Sequence, residues 1–136
     1  MLSKYDNFRG VFAKDDLPTQ INDNEMGIVN FDNHDSQGTH WVCYFNSSSP
    51  PENEYVLYFD SYGLPPPENL KTYLLTSGKK IKRNTSEIQY GDSIMCGYYC
   101  VYILNQLMNN HKLSDLILSF TPYPSIENEN KIKNLF

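Results

Sequence analysis

The chain is 136 residues long, 40% hydrophobic, with a net charge of −5 and a sequence pI near 5.0. That length suits one compact domain, 1–136. No apolar run approaches the roughly 18–20 residues of a bilayer span, and the start lacks a basic-then-apolar leader, so the sequence reads as soluble and intracellular. Three cysteines without paired spacings argue against a disulfide framework, and the acidic balance argues against nucleic-acid binding by the chain as a whole.

In chain order, the first 26 residues are mostly polar, with Phe8, Val11, Phe12, Leu17 and Pro18 as isolated anchors; they read as a surface wrap holding one short extended piece. Gly27–Phe31 is a β-prone run, and Asp32–Thr39 is a loop. His40–Phe45 is apolar on both faces, as a central strand would be. A Ser/Pro break follows, then a second apolar strand, Tyr55–Phe59, ended by Asp60-Ser61-Tyr62-Gly63. The simplest arrangement of the two runs is an antiparallel hairpin with Phe45 beside Tyr55 and Trp41 beside Phe59. That register sets His40 opposite Asp60, on the same face and within hydrogen-bonding reach.

Pro67-Glu68 opens a helix that runs through Leu75 and stops at Gly78. Lys79–Ile88 is a basic extended connector that can add an edge strand. Its Lys79, Lys80, Lys82 and Arg83 read first as solvated surface, and second as a contact for an acidic partner or nucleic acid. From Cys96 to Met108 the residues leave almost no polar face, which predicts a helix buried in the middle of the fold. A short helix over Ser114–Phe120 and a loose Asn/Glu/Lys-rich tail within 121–136 complete the chain.

Cys96 stands where a polar loop becomes that central helix. Unpaired N–H groups and the positive end of the helix dipole favour the thiolate there, and the thiolate is the nucleophilic form. A cysteine nucleophile needs a base, a group to orient the base, and donors for the oxyanion. The chain offers His40 as base, Asp60 as its orienting carboxylate, and the Gln89 amide with the Cys96 N–H as oxyanion donors. Gly97 lets substrate approach without a Cβ in the way. Cys43 and Cys100 read as core residues, with Cys100 one turn below Cys96 and facing the same way; His34 and His111 read as surface residues. A zinc site of Cys96, Cys100 and His40 lacks the paired close spacings and a fourth ligand, so no metal or cofactor is expected.

The joint order His40-Trp41, Phe59–Gly63, Gln89 and Cys96-Gly97-Tyr98-Tyr99-Cys100 resembles the adenovirus-type maturation proteases (adenain-like) within the broader Ulp1-like cysteine peptidases, and Gln89 precedes Cys96 by the family's seven residues. The resemblance extends over about residues 8 to 108, from Gly10-Val11-Phe12 onward. It implies an α+β, papain-like/Ulp1-like fold, with a buried central helix carrying the nucleophile packed on a small mixed, largely antiparallel sheet. It also implies the roles of Cys96, His40, Asp60 and Gln89, and Trp41 as a wall of a narrow cleft for small residues. The implied substrate is a polypeptide, a viral capsid precursor, cleaved by a monomeric enzyme in the host cell or packaged in virions. The adenoviral members use a disulfide-held peptide and DNA as activators. No counterpart of the peptide-holding cysteine is found here, and the short length, the Asn/Lys/Tyr-rich composition and the Phe59–Gly63 motif look closer to capsid-maturation proteases of virophage- and polinton-like elements than to cellular deconjugases. Two rivals remain: a ubiquitin- or SUMO-type deconjugase using the same four residues, and a non-catalytic binding module.

Overall fold

The computed structural model describes residues 2–31, 40–50, 52–90 and 95–135. Five strands form a mixed sheet in sequence order: β1 (Phe8–Ala13), β2 (Met26–Asn30), β3 (Trp41–Phe45), β4 (Tyr55–Phe59) and β5 (Lys80–Arg83). The outer pairs β1–β2 and β4–β5 are parallel, and the inner pairs are antiparallel. The four helices are α1 (Glu68–Leu75), α2 (Cys96–Met108), α3 (Leu113–Leu118) and α4 (Ile126–Lys133).

Alternation along β3 builds a core on each face of the sheet. Cys43 and Phe45 point to one side and meet Tyr99, Cys100, Ile103 and Leu104 of α2, with α3 and α4 behind. Val42 and Tyr44 point to the other side and meet Leu70, Tyr73 and Leu74 of α1. Both faces are therefore covered, which is why β3 and β4 read as continuous apolar runs. On the α1 side the carboxylate of buried Glu25 accepts from the hydroxyls of Tyr44 and Tyr73 and from Arg9 at 2.7 Å, so its charge is matched where an unpaired one would be costly.

The hairpin of β3 and β4 is antiparallel as expected, but its register differs from the expected one. Phe45 pairs with Leu57 and Cys43 with Phe59, a slip of two residues. Side chains alternate with period two, so this slip keeps every residue on its expected face, where a slip of one would have reversed them all.

Three further expectations are corrected. The central helix is not buried all round: Cys96, Tyr99, Cys100, Ile103, Leu104 and Leu107 form one buried stripe, while Tyr98 is 46% exposed. The tail read as loose forms α4 instead, with the Ser125 side chain accepting from the Asn128 N–H and Ile132 fully buried. The basic stretch is not simply solvated: Lys79 donates to the Ser47 carbonyl, Lys82 pairs with Glu52 at 3.4 Å, and Arg83 donates to the carbonyls of Gly63 and Asn84. The loop expected over Asp32–Thr39, including His34, and the residues 91–94 leading into α2 lie outside the described residues; His111 is exposed as expected. Among the described residues no helix is long and apolar enough to cross a membrane.

Candidate active site

His40 sits one residue before β3, and Asp60 one residue after β4. Extending the observed register places them diagonally, within reach for side chains this long. His40 Nε2 lies 2.7 Å from Asp60 Oδ1, and Asp60 is fully buried. The same Oδ1 accepts from the Tyr62 N–H at 2.8 Å, which locks the carboxylate against its own turn. The imidazole is held edge-on by Phe31, with centroids 5.1 Å apart, and tilted against Tyr62 at 4.7 Å.

Asn84, just past β5, does for Asp60 what a strand neighbour would do. Its side-chain oxygen accepts from the Asp60 N–H at 3.0 Å, and its amide donates to the Asp60 carbonyl at 2.6 Å. Phe31, Tyr62 and Asn84 were not found as supporting residues from sequence. The only available signal was a polar Asn directly following a strand, which alone reads as a turn.

Cys96 is the first residue of α2, and its preceding residue, Met95, supplies no side-chain cap to the first turn. Burial pushes the Cys96 thiol up, but His40, the backbone N–H of Trp41 and that of Gly97 outweigh it, so the thiol sits below its ordinary range. Burial likewise pushes His40 down, and the hydrogen bond to Asp60 together with the nearby Cys96 sulfur overcomes it, raising the imidazole to about 9. Nε2 is engaged by Asp60, which leaves the buried Nδ1, with no formed hydrogen bond, as the nitrogen available to the sulfur. The arrangement favours a thiolate beside an imidazolium.

Gln89 is fully buried. Its side-chain oxygen accepts from the Ser61 hydroxyl, and its N–H donates to the Ser61 carbonyl at 3.0 Å, so it stands beside the residue after Asp60. The amide NH2 is the donor end of this side chain. The structure thus brings Cys96, His40 and Asp60 together and ties Gln89 to the same turn through Ser61.

Trp41 and Gly97 line one groove of about 400 Å³, with Val11, Ile28, Tyr98 and Val101. It lies where the less buried side of α2 faces β1, β2 and β3. A Cβ built on Gly97 would meet nothing nearer than Trp41 at 3.9 Å, so the fold itself does not require glycine there. Among the described residues no group of three His, Cys, Asp or Glu side chains stands close enough to hold a metal ion. Cys43, Cys96 and Cys100 are free thiols, and all are buried.

No protein-family model matches the chain, and no curated protein matches it. Among solved structures it is similar to the ASFV pS273R protease, with a TM-score of 0.53 and 20% identity over 68% of this chain and 36% of that one. It is also similar to the selenomethionine form of that protein, with a TM-score of 0.52 and 20% identity over 68% and 38%. The chain thus corresponds to well under two thirds of those proteins' length. The likeness shows the fold alone: the chain shares the α+β arrangement of that protease, as the sequence leads one to expect, and nothing in it singles out the adenain-like group.

Proposed function

We propose that the chain is a cysteine endopeptidase that cleaves a structural precursor, of the capsid-protein class, through a thioester acyl-enzyme. The observation that carries this reading is the line of contacts from Asp60 through His40 to a thiol of lowered pKa at a helix start. In the first step the Cys96 sulfur attacks the scissile carbonyl, and the negative charge moves to its oxygen. The Cys96 N–H and the Gln89 amide donate to that oxygen, and losing one such donor typically costs about 2.7–4 kcal/mol of transition-state stabilisation. His40 gives its proton to the leaving amine, then takes one from the water that attacks the thioester, which restores the thiolate and imidazolium. Asp60 holds the imidazole in orientation throughout.

The groove over Trp41 and Gly97 supports a polypeptide substrate. It is apolar and open, it is lined by Trp41 and Gly97, whose backbone N–H groups reach the Cys96 thiol, and the absent side chain at Gly97 leaves room for a backbone to pass. Most of the Lys79–Arg83 cations are already engaged within the chain, so the reading includes no nucleic-acid partner.

The test is incubation of the protein with candidate capsid precursors, followed by mass mapping of the new termini, with Cys96→Ala as control. Cleavage after small residues, abolished in Cys96→Ala, is the expected result. Cleavage confined to the C-terminus of a ubiquitin-like fusion would transfer the same four residues to a deconjugase. Undiminished cleavage by Cys96→Ala would sink the mechanism.

A further inference from the structure

We propose that Cys100 is a positioning residue for the nucleophile, its thiol anchoring Trp41 through its carbonyl, one Cα away from the N–H that faces the Cys96 sulfur. The inference rests on Cys96 as the reactive thiol.

The Cys100 thiol donates to the Trp41 carbonyl at 3.4 Å and is fully buried. Trp41 lies at the end of β3 beyond its last pair with β4, Cys43 with Phe59, so the peptide edge on that side is released from the ladder. A carbonyl in such a place needs another partner. Cys100 supplies it, and so fixes the 41–42 peptide on one side of the Trp41 Cα, while the 40–41 peptide that carries the Trp41 N–H is held on the other side by the Phe31 N–H on the His40 carbonyl at 2.8 Å.

Helix and strand spacings make this possible. Four residues of helix advance about 6.0 Å, and two residues of strand about 6.8 Å, so Cys96 and Cys100 of α2 run nearly in step with Trp41 and Cys43 of β3. The Cys43 thiol interacts with that of Cys100 in turn, and burial pushes the Cys100 thiol well up, so it stays protonated and remains a donor. Of the two cysteines one turn apart, one is thereby kept as thiolate and the other as thiol. A core cysteine acting only through its bulk would give no preference for a hydrogen-bond donor at position 100.

The test compares Cys100→Val, which keeps bulk and loses the donor, with Cys100→Ser, which keeps a donor. The readout is the pH dependence of iodoacetamide alkylation at Cys96, with the modified residue located by mass mapping and folding followed by thermal melting. In Cys100→Val the Cys96 profile is expected to move to higher pH, with alkylation near neutrality slowed about two- to tenfold, the size of one hydrogen bond's contribution. Cys100→Ser is expected to stay near the parent. A parental profile in Cys100→Val, or equal slowing in Val and Ser, would overturn the proposal. If Cys100→Val does not fold, Cys100→Ala against Cys100→Ser is read in the same way. Alkylation needs no substrate, so a failure here is separable from a failure to find proteolysis.

Discussion

At the scale of single residues, the site is governed by two opposed burial effects. Desolvation disfavours charge on both Cys96 and His40, yet each is the other's counter-ion, and Asp60 adds a second negative partner to the imidazole. The thiolate–imidazolium pair should therefore persist up to about pH 9, where His40 loses the proton that the leaving amine requires. Activity is expected to rise below the ordinary thiol range and to fall near pH 9. In Asp60→Asn the falling limb should move down by about one to three pH units, the usual size of a neighbouring carboxylate's effect. A pH–rate profile checks this, and an unmoved limb would remove Asp60 from the proposed role. The same shift has a signed effect on stability. The folded-state pKa of His40 is raised, so its contribution is complete below the ordinary imidazole value of about 6.5. It is lost as pH rises through about 9. Melting temperatures across that window should fall further in the parent than in Asp60→Asn.

At the scale of elements, glycines separate what the fold needs from what the site needs. Gly63 has φ +72 and closes the turn after Asp60 with its N–H on the Asp60 carbonyl at 2.8 Å; a Cβ there would stand 2.6 Å from the Thr85 carbonyl. Gly63→Ala is expected to lower stability by at least about 1–3 kcal/mol, measured by denaturant titration. Gly97→Ala should do the reverse, leaving stability unchanged or raising it by up to about 0.5–1 kcal/mol. Peptide cleavage should meanwhile fall, because the new methyl projects into the groove. Full activity in Gly97→Ala would remove that groove from the proposed substrate path. These elements also show what was legible beforehand. β3, β4 and α2 could be read from their long apolar runs, α1 from the Pro67-Glu68 start and the Gly78 stop that bracket it, and Cys96 because a polar loop meets an apolar helix there. The hairpin register differs by two residues from the one that matching the run ends predicts, because Asn84, just past β5, takes the Asp60 backbone and Tyr62 packs on His40 where β4 stops. Those contacts join segments far apart in the chain, and no local pattern announces them.

At the scale of the whole molecule, the C-terminal helix matters because of what it holds. Its low apolar content made it read as a loose tail. Its signals are electrostatic instead: Ser125 as cap, Glu127 and Glu129 in the first turn, Lys131 and Lys133 in the last, all matched to the helix dipole. Once formed, α4 places Glu129 to accept from the Tyr99 hydroxyl of α2 at 2.5 Å and buries the Asn128 side chain. That side chain donates to the Ile88 carbonyl at 2.9 Å, while the N–H groups of Ile88 and Gln89 both donate to the Ser61 carbonyl, beside Asp60. A continuous set of hydrogen bonds thus runs from α4 to the proposed oxyanion donor. Asn128→Ala should cost about 1–3 kcal/mol, the penalty for leaving buried polar groups unpaired. It should also lower kcat at temperatures well below its own melting point, with KM little changed, since Gln89 is proposed to act on the transition state more than on the bound substrate. Ile132→Ala provides the contrast: loss of a fully buried side chain from the same helix should cost about 2–5 kcal/mol while leaving kcat of the folded fraction near the parent. Parallel kcat losses in the two variants would mean that α4 acts only as a general support, and unaltered kcat in Asn128→Ala would cut the connection between the tail and Gln89.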